Sequence, residues 1–177
     1  MSIVSIIVGT FLFFSTSTLF DFNLKSDLTN WYVVDDVVMG GRSDSRMYIN
    51  ENGNAVFEGK VSLENNGGFS SVRYRFDQRS IDQYKNITIH LKGDGNRYQF
   101  RVKTNRYDRQ SYISYFQTTG DWQVIEIPME DMYPAWRGMR LNMSNFPVRE
   151  VEEISFLIGN KKAESFRLEI DKIVLTD

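Results

Sequence analysis

The feature that most limits how this chain can fold is alternation. In NITIHLK, residues 86–92, Ile87, Ile89 and Leu91 alternate with Thr88, His90 and Lys92; in RYQFRVK, residues 97–103, Tyr98, Phe100 and Val102 alternate with Gln99, Arg101 and Lys103. A period of two sends successive side chains to opposite faces of an extended strand, one apolar and one polar. Further short runs follow at 112–116 (YISYF), 122–128 (WQVIEIP), 154–159 (ISFLIG) and 166–175 (FRLEIDKIVL), divided by turn-forming stretches such as ENNGG at 64–68. This predicts about eight to ten strands. GDGN, residues 93–96, reads as a tight hairpin connection, because its glycines reach positive φ without strain. The best helical candidate is a short turn around EDMYPAW, residues 130–136, where no 3.6-residue stripe develops. A sheet with no helices to cover it must be mostly antiparallel and pack on a second sheet. The expected fold class is all-β: a two-sheet antiparallel β-sandwich of the jelly-roll type. At 177 residues it forms one domain with a substantial core.

Residues 1–20 read differently. The apolar run 3–14 is too short to span a bilayer as a helix and fits the core of a secretory signal, with Ser15, Thr16 and Ser17 as small residues for cleavage. No Lys or Arg precedes the run, so a lipid-facing anchor or a first core strand are the alternatives. The expectation is a leader over 1–17 and a sandwich over 18–177, with no stable membrane span in the mature domain. The chain would be exported or periplasmic if the leader is a signal, and cytoplasmic otherwise.

Charge and residue inventory narrow the chemistry. Lys plus Arg number 21 against 23 Asp plus Glu, so the molecule as a whole lacks the positive field that draws nucleic acid. There is no Cys and one His, His90, which removes thiolate chemistry and the commonest general base. Asp94 and Asn96 are too few oxygens for a calcium site, and no cofactor is expected. The tract from Arg97 to Arg109 mixes rings and charges, but on strands its aromatics fall in the core and its charges on a solvated face. Tyr112, Tyr115, Phe116 and Trp122 could alternatively form a stacking platform for sugar rings.

VVDDVVMGGRSDS, residues 33–45, carries the adjacent acids Asp35 and Asp36 and the pair Gly40-Gly41. On a strand two neighbouring acids face opposite ways, so one is expected to be a hydrogen-bonding post for the glycine turn. NNGGFSSVR, residues 65–73, repeats the pattern with Asn65, Asn66 and a second glycine pair before Phe69. Two glycine pairs flanked by Arg42 and Arg73 suggest loops clustered at one rim of the sandwich, where binding sites concentrate.

Taken in series, these motifs resemble the complex I intermediate-associated protein 30 family: Leu-Phe-Asp-Phe at 19–22, Trp31, Asp36, Val-Met-Gly-Gly at 38–41, Ser43, the 65–73 element, Gly-Asp-Gly-x-x-Tyr at 93–98 and Arg137-Gly138. The resemblance covers about residues 19–175; Val37 stands where the family commonly has Gly. It implies a galactose-binding-like jelly roll without catalysis of its own. Mitochondrial members act as assembly factors holding complex I intermediates, while stand-alone bacterial relatives, which this chain resembles, have no settled role.

The leading expectation is therefore a non-catalytic, monomeric binding domain that grips a protein partner, as an assembly or chaperone-like factor. The residues expected to do so are Asp36, Met39, Gly40, Gly41, Arg42, Asn65, Asn66, Phe69, Arg73, Asp94 and Arg137. The competing expectation is carbohydrate binding on the same scaffold. An enzyme working with carboxylates alone ranks third, and a purely scaffolding role for the motif residues is the fourth reading.

Overall fold

The computed structural model describes residues 15–177 and contains thirteen strands among them: β1 (Thr16–Asp21), β2 (Trp31–Asp35), β3 (Asp44–Ile49), β4 (Ala55–Val61), β5 (Ser70–Ser80), β6 (Asn86–Lys92), β7 (Arg97–Lys103), β8 (Ser111–Gln117), β9 (Trp122–Pro128), β10 (Tyr133–Trp136), β11 (Met139–Arg140), β12 (Glu150–Ile158) and β13 (Glu164–Thr176). They form two antiparallel sheets. One runs β3-β4-β13-β6-β9 with β1 also on β13, and the other runs β11-β10-β8-β7-β12-β5-β2. The fold is the expected all-β sandwich, with more strands than the eight to ten expected: β10 and β11 are too short to show a period, and β1 starts within the segment read as a leader.

The alternation does its work as expected. Ile87, Ile89 and Leu91 of β6 face Tyr98, Phe100 and Val102 of β7 across one core, all of them buried. Phe100 meets Phe156 of β12 edge-on at 5.2 Å, and Tyr98 reaches Phe166 of the opposite sheet at 6.5 Å. At one end Phe20, Phe22, Trp31 and Tyr74 close the sandwich, with Trp31 and Tyr74 stacked at 4.8 Å. Leu19, Phe20 and Phe22 of the Leu-Phe-Asp-Phe motif and Trp31 thus belong to the core, with Asp21 exposed, and β1 begins at Thr16, so two residues offered as a cleavage site pair with β13. The apolar run 3–14 lies outside the described residues.

Three expectations change. GDGN joins β6 to β7, which lie in different sheets, so it is a crossover between layers and not a hairpin. Its shape is set by tertiary partners: Asp94 accepts from the Arg167 amide at 2.7 Å and the Tyr98 hydroxyl at 3.0 Å, and a Cβ on Gly93 would run into Thr118. Glycine-rich 64–68 likewise crosses from β4 to β5. The segment 130–136 is a 3-10 turn, Met129–Asp131, followed by β10 and not by helix. Tyr107, expected in the core with its tract, is 87% exposed at the β7–β8 connection. Among the described residues, no helix is long and apolar enough to cross a membrane.

Candidate functional site

The two glycine pairs meet at one carboxylate. After β2 the chain enters a 3-10 turn, Asp36–Met39, which Gly40 ends at a φ of +91°. This reversal lets Ser43 reach back, donating its amide to Asp36 Oδ1 at 2.9 Å and its hydroxyl to Oδ2 at 2.6 Å. From the other loop the Gly68 amide donates to Oδ2 at 2.6 Å and the Phe69 amide at 3.3 Å. Asp36 has no exposed surface. Burial alone would raise its carboxyl's pKa, but the Ser43 hydroxyl and the Gly68, Ser43 and Phe69 amides outweigh burial and hold it below the usual carboxylate range. Asp35 is a second, separate post, accepting from Ser45 Oγ at 2.7 Å and Ser70 Oγ at 2.5 Å. The two acids do not converge, but the reason is not strand alternation: β2 ends at Asp35 and Asp36 opens the 3-10 turn, and both acids, not one, serve as hydrogen-bonding posts.

The glycines permit this closeness. A Cβ on Gly67 would lie 2.5 Å from Asp36 Oδ2 and 2.9 Å from the Ser62 carbonyl, while one on Gly40 would meet nothing within 4 Å. We expect Gly67→Ala to lower unfolding free energy by about 2 kcal/mol through overpacking, and Gly40→Ala by about 1 kcal/mol through its positive φ alone. Urea melts of the two variants check this; equal losses would mean the carboxylate does not fill the space beside Gly67.

Beside this latch the outer face of the seven-stranded sheet forms a groove of about 470 Å³. Its floor is Arg73, Leu157, Gln99, Arg101, Lys103 and Ser111. On the β2 side its wall is Met39, Asn66, Gly67, Gly68 and Phe69; on the β10 side it is Arg109, Trp136, Arg137 and Gly138. Of the residues expected from sequence, Met39, Asn66, Phe69, Arg73 and Arg137 come together here. Asp36 shapes the wall from within, where a fully buried carboxylate has no surface to offer a partner. Gly40 and Gly41 form its turn, Asn65 is exposed outside the groove at a φ of 54°, and Arg42 pairs with Glu64 on the surface at 2.8 Å. Asp94 sits in the β6–β7 crossover and does not line it.

Gln99, Arg101, Lys103, Arg109, Trp136 and Leu157 were not among the expected residues. For β7 the signal was present: the alternation that buries Tyr98 and Phe100 turns Gln99, Arg101 and Lys103 to the opposite face. What it did not say is that this face is hollow. Arg101 donates to Gln99 Oε1 at 2.9 and 2.5 Å; burial, with Arg73 nearby, pulls its guanidinium down to about 10. Burial also lowers Lys103, whose ammonium donates to the Asp108 carbonyl. Beneath the groove Glu153, 2% exposed, accepts from Arg75 Nε at 2.8 Å and Tyr32 at 3.0 Å and lies 3.8 Å from Arg73. Burial and this carboxylate push the Tyr32 hydroxyl up to about 12.

Four rings on this face each carry a cation. The Arg109 and Arg137 guanidinium carbons sit 4.3 and 4.8 Å from the Trp136 ring centre, Arg97 sits 4.6 Å from Tyr115, Arg140 4.6 Å from Tyr133 and Arg75 4.6 Å from Tyr32. The four-ring platform expected from sequence does not form, because Tyr112 and Phe116 are core and Trp122 is on the other sheet. Among the described residues no three His, Cys, Asp or Glu side chains gather to hold a metal ion.

The architecture is similar to the family 11 carbohydrate-binding module of a cellulosomal cellulase from Clostridium thermocellum: TM-score 0.68 and 17% identity, over 91% of this chain and 94% of that one. By sequence the chain is 24% identical to complex I intermediate-associated protein 30, mitochondrial, of Drosophila melanogaster, over 90% of this chain and 62% of that protein. It is likewise 24% identical to the Mus musculus protein of the same name, over 88% of this chain and 55% of that one. The chain thus spans a little over half the length of these relatives. Residues 20–170 match the family described as complex I intermediate-associated protein 30, and the chain belongs to it.

Proposed function

We propose that this chain is a non-catalytic binding domain that holds a partner protein in the groove of its seven-stranded sheet, in the manner of an assembly factor. The observation that carries this reading is the lining of the groove. It is made of guanidiniums, an ammonium and an amide held in place by rings and hydrogen bonds, with Met39 and Phe69 as an apolar wall. Guanidiniums stay protonated at neutral pH and present fixed donors, so such a surface is built to hold and not to transfer protons. The two mitochondrial relatives are named for an association with complex I intermediates, and the reading extends the idea of gripping an unfinished complex to this chain.

Affinity capture from the native cell tests it, with wild type beside a variant carrying Phe69→Asp and Met39→Asp. We expect a defined set of proteins on wild type and its loss from the variant at unchanged melting temperature. Capture that ignores the change would remove the groove from the account.

A second reading is carbohydrate binding. It is favoured by the fold's likeness to a module solved in complex with a mixed-linked β-1,3-1,4 tetrasaccharide, at TM-score 0.66, and by Tyr115, which is 43% exposed in a smaller trough that adjoins the groove. Saturable sugar binding lost in Tyr115→Ala would support it over the protein reading.

A further inference from the structure

The groove is strongly cationic in a molecule whose formal net charge is −2. Arg73, Arg101, Lys103, Arg109 and Arg137 all line it, and no carboxylate among the described residues does. The acids that border it are already engaged: Asp36 is sealed in the wall by the Ser43, Gly68 and Phe69 donors, and Glu153, buried on β12, is held by Arg73, Arg75 and Tyr32. Arg101 has one hydrogen-bond acceptor among the described residues, the Gln99 side chain. Collecting like charges this way costs stability unless something arriving from outside compensates it.

The rings decide what arrives. A sugar or a base stacks on an aromatic face that is open to it. Here Trp136, Tyr115, Tyr133 and Tyr32 each lie against a guanidinium, so the rings act as pedestals that hold arginines in place. Arginines fixed in this way recognise carboxylates through paired N–H bonds, with little side-chain entropy left to lose. The opposite wall carries the groove's apolar side chains, Met39, which is 59% exposed, and Phe69, beside Asn66. A second trough of about 230 Å³ shares Gln99, Arg101, Ala135 and Gly138 with the first, which lengthens the track along the sheet. A ligand with acidic groups on one side and an apolar group on the other matches both walls. A peptide offers both, whereas a sugar chain has no apolar side chain for Met39 and Phe69.

We propose that the groove takes an acidic peptide segment of its partner, carboxylates seated on Arg101, Arg109 and Arg137 and an apolar side chain set against Met39 and Phe69. This rests on the protein-binding reading above and names the ligand's chemistry. The full chain is titrated by calorimetry with a synthetic peptide of Glu, Asp and Leu, with its Gln/Asn counterpart, with polygalacturonate and with the neutral mixed-linked tetrasaccharide. The acidic peptide saturates and the amide peptide binds about tenfold weaker or worse. The acidic peptide's affinity also falls about tenfold on raising salt and in the double variant Arg109→Gln/Arg137→Gln, whose exposed positions leave the melting temperature unchanged. Equal binding of the two peptides, still lost in the double variant, overturns the acidic preference and leaves the protein-binding reading standing. Binding of either sugar with neither peptide bound overturns both. Failure of the acidic peptide to bind at millimolar concentration also overturns the proposal.

Discussion

Replacing Asp36 by alanine lowers the unfolding free energy by about 3 kcal/mol or more, among the largest losses expected of any single polar substitution in this chain. The carboxylate is fully buried and accepts from the Ser43 hydroxyl and from the Ser43, Gly68 and Phe69 amides. Truncation strands these donors without water to replace the acceptor, and the full desolvation cost of each falls on the folded state. Asp36→Asn loses less, because one amide oxygen still accepts. The pH dependence carries a second signature. Hydrogen bonding sets the folded carboxyl below its unfolded value, which lies near ~4; the stabilisation is therefore complete above that value and is lost as pH falls through the lower, folded one. The gap in stability between wild type and Asp36→Asn should be widest at neutral pH and narrow on acidification below about pH 4. Denaturant melts at several pH values measure this, and a gap that does not change with pH would show that the charge on Asp36 is not what the two loops hold.

Glu153→Ala should be nearly as costly, about 3 kcal/mol, for the opposite electrostatic reason. Glu153 is the buried anion under a cationic floor, engaged by Arg75 at 2.8 Å and Tyr32 at 3.0 Å with Arg73 at 3.8 Å. Its removal leaves two guanidiniums facing each other with Lys103 alongside, since Glu153 pairs in register with both Arg75 and Lys103. Glu153→Gln keeps an acceptor for Arg75 and should recover about a third of the loss, the part owed to hydrogen bonding and not to charge. Sulfate at matched ionic strength should stabilise Glu153→Ala more than it stabilises wild type, because the vacated site is an anion site. Thermal melts in sulfate and in chloride make the comparison. A loss under about 1 kcal/mol, or no preference for sulfate, would mean the groove's cations do not depend on this buried counter-charge.

The two predictions separate scaffold from surface among the motif residues. Asp36, Ser43, Gly41 and Gly67 are fixed by one another, and their spacing in the chain follows from the need to bring two crossovers against one carboxylate. Met39, Phe69 and Arg73 lie next to these posts and are placed by them at the groove. Those sequence motifs therefore mark the groove's β2 side, while much of its charge comes from β7 and from the segment before β8.

Read from the chain alone, the period of two in 86–92 and 97–103 determines strands and which side chains enter the core, because a pleated strand has only two faces and apolar side chains take the dry one. The glycine pairs likewise announce sharp turns by their conformational freedom. Alternation says which residues share a face and nothing about the curvature of that face or which other strands flank it. That is why Gln99, Arg101 and Lys103 read as an ordinary solvated row, although β7 sits between β8 and β12, inside a sheet whose rims rise at Met39 and Trp136. It is also why GDGN resembles a hairpin: local φ preferences fix the turn, while the sheet each strand joins depends on partners far along the chain, such as Arg167 for Asp94 and Glu153 for Arg75. The sequence by itself determined the longer alternating strands, their inward faces and the two glycine turns. Only the tertiary structure decided that Asp36 is sealed inside and that the arginines stand on aromatic rings around one groove, because burial and charge proximity are properties of packing between distant segments.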